Sequence, residues 1–405
     1  MRLESLFVVY LISTAAAISS PFALRAVDAG WRQAMHVNSE AALEPAPEMH
    51  PGRPQPLQPI AVCAAGAVGA KYYYDGDFSV GSDPSDCRSF IPDIKVVRSA
   101  VGEDGTLYLE GTRDGQNSLS VYSRSGELRW TVPIDDIDNP LALGRDGTAY
   151  LSATLRNSNT LTAFNADGSV RWRVTNEAEQ LGGLVAPAIG PDGTVYIFST
   201  VQPTGWPDCR HVCFAILAIS PQGQERWRVE VANRPKDLLV DADGRLLVNV
   251  PSGNLIAFDS QGHQLWSFRS EDKFGQGGVA VAGDGTVYFA SRFLYALDRR
   301  GKAKWVFRPD AAYTGDERLE DEFAVAEDGT VYAFSTHHKL FAITGGGHKK
   351  WVVDDLPPGG SGVELSANGI LRTPSAWFSV SSGLASHGWP SANRDGRNSR
   401  SQEAR

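Results

Sequence analysis

The residues best suited to chemistry gather in two kinds of place. Between positions 202 and 213 stand Trp206, Asp208, Cys209, His211 and Cys213. The Cys-x-His-x-Cys spacing offers thiolate and imidazole, the donor types of a zinc site, but no fourth ligand accompanies them. In an exported chain close cysteines oxidise, so the expectation is a disulfide-stapled loop presenting Trp206, with no metal site assigned. Cys63 and Cys87 are the other two cysteines. Four cysteines permit three connectivities. Pairing in sequence order, Cys63 with Cys87 and Cys209 with Cys213, closes the shortest loops and is the pairing expected.

Carboxylates form the second kind of cluster: Asp135, Asp136 and Asp138; Glu271 and Asp272; Asp316, Glu317, Glu320, Asp321 and Glu322; Asp354 and Asp355. Converging at one mouth, they would focus a negative potential on a cation or a basic peptide, or supply an acid–base pair with a raised pKa. Arg234, Lys236, Lys273 and Arg318 interrupt them, and the competing reading is a solvated surface that serves solubility. Asp75, Asp77, Asp83 and Asp86 are dense, yet lack the spacing and bidentate glutamate of an EF-hand loop. His337 and His338 are adjacent, so extended geometry would point them apart as surface residues. His-Glu-x-x-His, Walker, Gly-x-Ser-x-Gly and dinucleotide-binding motifs are all absent.

What must position these groups is a repeat. Asp-Gly-Thr-x-Tyr occurs at 104–108, 146–150, 192–196, 284–288 and 328–332, with degenerate copies at Asp243-Gly244 and Asn368-Gly369. Successive copies lie 40 to 51 residues apart, the length of a four-stranded propeller blade. Asp-Gly between two apolar, alternating stretches is a hairpin signal, because a tight turn matching strand twist needs the positive φ that glycine tolerates. A second hairpin follows each one. Trp130, Trp172, Trp227, Trp266, Trp305 and Trp351 stand four residues after Gly126, Gly168, Gly223, Gly262, Gly301 and Gly347. A large flat side chain at one fixed place per unit fills the gap between adjacent wedge-shaped sheets.

The expected fold is all-β, a seven-bladed β-propeller of four-stranded antiparallel blades. It becomes eight if the amino-terminal segment forms a blade of its own. A strand from around Ile60 to Phe78 is expected to complete or latch the last blade. The tight A–B and C–D turns fall on one rim and the longer B–C and D–A loops on the other, where function is expected.

The Asp-Gly-Thr-x-Tyr turn, the glycine-then-tryptophan spacing and Leu-Tyr-Ala-Leu-Asp at 294–298 resemble the PQQ-like β-propeller repeat, over roughly residues 94–395. Gly388-Trp389-Pro390, with Asp395 and Asn398 beyond, is similar to a Trp-Pro-x4-Asp segment found at the ends of such propellers. Members include an outer-membrane assembly subunit that acts as a scaffold, and quinoprotein dehydrogenases that hold pyrroloquinoline quinone. The chain lacks the adjacent cysteine pair of the dehydrogenases, so the resemblance does not carry their cofactor over.

Before the repeat, Arg2 and an apolar run at 6–18 read as an export segment too short to span a bilayer. Six prolines between positions 45 and 59 then read as an extended spacer. The expected organisation is 1–29 signal peptide or amino-terminal anchor, 30–60 proline-rich linker, 61–395 propeller and 396–405 disordered tail. The net charge of −9, without a clustered basic surface, argues against nucleic acid as a partner, and an uncleaved first segment is the one route to membrane contact.

The functional expectation is a non-catalytic periplasmic or secreted scaffold without cofactor. It would bind protein or carbohydrate on its loop face through Trp206, Asp208, His211, Asp138, Lys236, Asp321 and Glu322. The rival is a propeller enzyme, a lyase or a quinoprotein-like oxidoreductase using pyrroloquinoline quinone with calcium, with carboxylates at the channel mouth.

Overall fold

The computed structural model describes residues 50–51, 60–62, 88–90, 94–102, 104–123, 125–134, 141–154, 159–176, 179–181, 185–201, 213–251, 253–271, 277–309, 317–356, 363–365, 369–373, 376–383, 385 and 388–389. Among them every regular element is a strand. Seven antiparallel sheets of four or five strands follow one another along the chain, at 95–133, 142–176, 179–231, 237–269, 279–307, 319–353 and 364–379. They are called sheets 1 to 7 below.

The Asp-Gly-Thr turns join first strand to second as the spacing requires. In sheet 2, Gly144 N–H bonds Thr148 O at 2.8 Å and Gly147, at φ 77°, bonds back to Gly144 O at 3.1 Å. Asp146 Oδ1 accepts the Thr148 N–H at 3.0 Å, so the aspartate closes the turn it begins.

Consecutive sheets bury their faces on each other. Six clusters of buried residues bridge sheets 1–2, 2–3, 3–4, 4–5, 5–6 and 6–7 in turn. Tyr150, Leu161 and Ala163 of sheet 2, for example, meet Ile197, Ala215 and Leu217 of sheet 3. First strands of neighbouring sheets touch, as between sheets 3 and 4 and between sheets 6 and 7. The sheets are therefore wedged with their first strands innermost, which is the architecture of a β-propeller.

The tryptophans seal these wedges as expected, and the contact explains their glycine partners. Trp130 Nε1 donates to Ala166 O in the next sheet at 2.8 Å. A Cβ on Gly168 of that same turn would lie 2.7 Å from the Trp130 ring. Trp172 repeats this with Pro221 O at 2.9 Å, Trp227 with Ser260 O at 2.8 Å, Trp266 with Arg299 O at 3.1 Å and Trp305 with Gly345 O at 2.9 Å.

The last sheet departs from expectation. Its fourth strand is His50–Pro51, paired antiparallel with Ala376–Ser379 in the register His50↔Trp377. The strand Ile60–Val62, expected to latch that sheet, pairs instead with Arg88–Phe90. Pro51 lies on the edge strand of the sheet, one of the positions where a sheet tolerates proline's missing N–H.

Candidate functional site

The two rims are chemically unlike. On the turn rim the same side chains recur and bond to one another. Fourth strands bulge one residue before each tryptophan: Ala163 faces Trp172 and Phe164 faces Val170, so Arg171 is left over. A bulge re-aims its extra side chain, and Arg171 Nη1 reaches both Asp146 Oδ2 and Thr148 Oγ1 at 2.7 Å. Arg226 does the same to Asp192 and Thr194 in sheet 3, and Lys304 reaches Thr286 at 2.9 Å in sheet 5. Burial alone would raise the carboxyls of Asp146 and Asp192. Hydrogen bonds from Arg171 and Thr148, and from Thr194 and Arg226, outweigh it and hold both below the usual range. Burial, with the nearby aspartate charge, pushes Tyr150, Tyr196 and Tyr288 up to about 12.

Sheet 4 performs the same task with other residues. Its bulged position is Leu265, which is 48% exposed and has no charge to offer. The guanidinium comes instead from the turn, where Arg245 replaces threonine and pairs with the buried Asp241 at 2.5 Å. Burial raises the Asp241 carboxyl despite that partner. The basic residue directly before five of the six tryptophans, Arg129, Arg171, Arg226, Lys304 and Lys350, was visible in the repeat, yet sequence reasoning passed over it because neither hairpin pattern contains it.

Among the described residues of the loop rim no constellation recurs. In sheet 6, Glu317 precedes the first strand and is buried. Ser335 Oγ donates to its Oε1 at 2.8 Å, while Lys339 Nζ and His337 Nδ1 lie 3.7 and 3.9 Å from its Oε2. Lys339 Nζ is also 4.0 Å from Asp354 Oδ1. A buried carboxylate requires cationic company, so the cluster fixes His337 and Lys339 at the mouth. His338, expected on the surface, is half-buried at φ 58°, its ring 6.3 Å from Phe334 and its carbonyl accepting Leu356 N–H.

Between sheets 4 and 5, Asn249 Nδ2 donates to Gly277 O at 2.6 Å, and the Asn249 main-chain carbonyl accepts Lys236 N–H at 2.8 Å. A Cβ on Gly277 would lie 1.6 Å from Ala290 O, so only glycine fits there. Arg308 pairs with Glu271 and stacks 5.1 Å over the Phe293 ring. Glu271 and Glu317 thus each have a cation beside them, while Asp135, Asp136, Asp138, Asp272 and Asp316 lie outside the described residues.

Of the residues expected to form a site, Lys236 is on the loop rim and half-buried. Asp321 and Glu322 belong to the innermost strand of sheet 6, Leu319–Val325, and not to a connecting loop. They sit where the register jumps from Leu319↔Ser335 to Phe323↔Ala333. Asp138, Trp206, Asp208, Cys209, His211, Cys63 and Cys87 lie outside the described residues, as does the Cys213 side chain. Cys213 itself opens a strand opposite Val201, which places both ends of the 202–212 connection at the loop end of sheet 3. Among the described residues no group of three metal-ligating side chains converges, and no helix is long and apolar enough to cross a membrane.

Wedged four-stranded sheets, turn-capping aspartates and intersheet tryptophans define a propeller of PQQ-like repeats. The chain belongs to the family described as outer membrane protein assembly factor BamB, whose model matches residues 91–254 and 251–369. BamB from Moraxella catarrhalis is similar in structure at 19% identity and a TM-score of 0.51, over 72% of this chain and 84% of that one. The C-terminal WD40 domain of Sif2 is similar at 13% identity and a TM-score of 0.50, over 72% and 81%. Virginiamycin B lyase from Staphylococcus aureus shares 14% identity over 71% and 93%, with a TM-score of 0.47. No curated protein matches the chain.

Proposed function

We propose that this chain is an exported, seven-bladed, non-catalytic scaffold that binds a protein partner on its loop face. One observation carries the reading: the described side chains that repeat from sheet to sheet bond to one another on the turn rim, with a substitute pair in sheet 4, while the Glu317 and Glu271 clusters of the loop rim belong to single sheets. A rigid scaffold with individual loops is how propellers acquire specificity. The seven sheets favour seven blades, with His50–Pro51 as the last outer strand. The family's assembly-factor description favours a protein partner, and the export segment favours the periplasm or the exterior.

The contact surface combines Lys236, His337 and Lys339 with Trp206, Asp208 and His211 of the 202–212 connection, Asp138 of the loop between sheets 1 and 2, and Asp321 and Glu322 of the first strand of sheet 6. Disulfides are part of the proposal. The ladder ending at Val62↔Arg88 stops one residue short of both Cys63 and Cys87, and Cys209–Cys213 would staple the Trp206 loop.

Photo-crosslinking residues placed singly at Trp206 and Lys339, and at Asp167 on the turn rim, test this. The expected result is one discrete protein adduct from the first two positions and none from the third. Equal labelling from both rims would overturn the face assignment. A saturable thermal shift with pyrroloquinoline quinone and calcium would overturn the absence of a cofactor.

A further inference from the structure

After its third strand, sheet 7 sends the chain backwards across its predecessors. Asp328 N–H donates to Ser382 Oγ at 3.2 Å and Glu327 N–H to Gly383 O at 2.9 Å, both at the Asp-Gly-Thr turn of sheet 6. Ala385 N–H then donates to Val325 O at 3.0 Å. Gly388–Trp389 finally pairs antiparallel with Ala282 and Val281 as a fifth strand of sheet 5. The strand order of that sheet puts Gly388–Trp389 beyond the first strand, on the inner edge and at the turn end. The described residues of this segment therefore meet sheet 6 first and sheet 5 next, in the order opposite to the chain.

An inner first strand left alone exposes unpaired N–H and C=O groups, a template for any extended segment. Here the hydrogen bonds are main chain to main chain except for Ser382 Oγ, so they select for extended conformation more than for side chains. Strand addition of this kind draws affinity from the backbone. The segment is tethered, so its hold depends on an effective concentration in the millimolar range, about what a short linker supplies.

We propose that 382–389 is a detachable strap, an intramolecular strand ligand seated on a peptide-binding edge formed by Val279–Ala282 and the backbone of 325–328. The occupant of that edge is the chain's own tail. When the strap lifts, the edge accepts a second extended segment of the same kind. This places a binding edge on the turn side, separate from the loop-face contact proposed above, and it stands whether or not that contact does.

The test uses the full chain carrying Ala385→Pro, which removes the donor to Val325 O and nothing from the sheets. Amide exchange at Glu327 and Asp328 should rise about 5-fold, the loss of one hydrogen bond worth about 1 kcal/mol, while Gly147 in sheet 2 is unchanged. A synthetic peptide of residues 382–392 should bind this variant at least 5-fold more tightly than wild type and restore the slow exchange. Unchanged exchange at Glu327 and Asp328 would overturn the strap, and equal peptide binding by both proteins would overturn the shared edge. A rise at Gly147 as well would mean that the segment only supports global stability, which also overturns it. A chain ending at Ser381 supplies a second reading, since it too should bind the peptide more tightly than wild type does.

Discussion

Gly168 shows how much of this molecule is decided by single atoms. Two demands meet there: φ is +87°, and a Cβ would lie 2.7 Å from the Trp130 ring. Gly115 shares the first demand alone, with φ at +80° and nothing within 4 Å of its virtual Cβ. Gly115→Ala should therefore cost about 1 kcal/mol, the penalty of a left-handed residue. Gly168→Ala should cost that and a further 1–3 kcal/mol, roughly, for overpacking. Urea unfolding of both variants measures the difference, and equal midpoints would show that the tryptophan contact carries no energy. The glycine and tryptophan were both legible as a spacing. The reason for the pairing was not, because the two partners of each contact belong to neighbouring repeats: Trp130 meets Gly168 and not its own Gly126. Sheet 4 was harder to read, since Asp241, Arg245 and Leu265 look like three unrelated departures until the bulge shows them to be one exchange.

At the scale of the element, the hairpin turn couples the fold to pH. Asp104, Asp146, Asp192 and Asp284 are each raised by burial, and each is brought below the ordinary 3.8 by hydrogen bonds and cations of the turn. A folded pKa below the unfolded one gives stability that is present above the unfolded value and lost as pH falls through the folded one. Asp241 has the opposite sign, because burial holds its carboxyl above 3.8, and acidification relieves it. These four depressed groups, with Asp167 and Asp259 of the second hairpin turns lowered as well, against one raised group predict a net loss of stability as pH falls below the ordinary carboxylate range. Urea midpoints at pH 7, 4 and 3 check this, and Asp146→Asn with Asp192→Asn should flatten the dependence. A slope unchanged in the double variant would place the acid sensitivity elsewhere. The strands around these turns were legible from alternation and period. Asp321 and Glu322 were not, because an acidic triplet reads as loop, whereas a register jump on an inner strand leaves no mark in composition.

Over the whole molecule, what the sequence concealed is how the ends are used. Repeats announce themselves by recurring, but a two-residue strand inside a proline-rich stretch has no period to read, and neither has a tail that recrosses earlier sheets. His50–Pro51 nevertheless supplies the outer strand of sheet 7, paired as His50↔Trp377 and Pro51↔Ala376. Without it Ala376–Ser379 becomes an exposed edge over a sheet whose strands are only two to four residues long. Sheet 7 packs Leu365, Leu371 and Phe378 against Tyr332 and Trp351 of sheet 6, so loosening it loosens its neighbour. A chain beginning at residue 52 should therefore melt below one beginning at residue 42, by about 2–4 °C for each kcal/mol lost. Amide exchange should quicken in sheets 7 and 6 and stay unchanged in sheets 2 and 3. If the two chains melt together, the amino-terminal strand is an ornament on a propeller that closes without it. If they differ with that gradient of exchange, the proline-rich stretch is part of the folded body, and the boundary of the domain lies before His50 and not after Ile60.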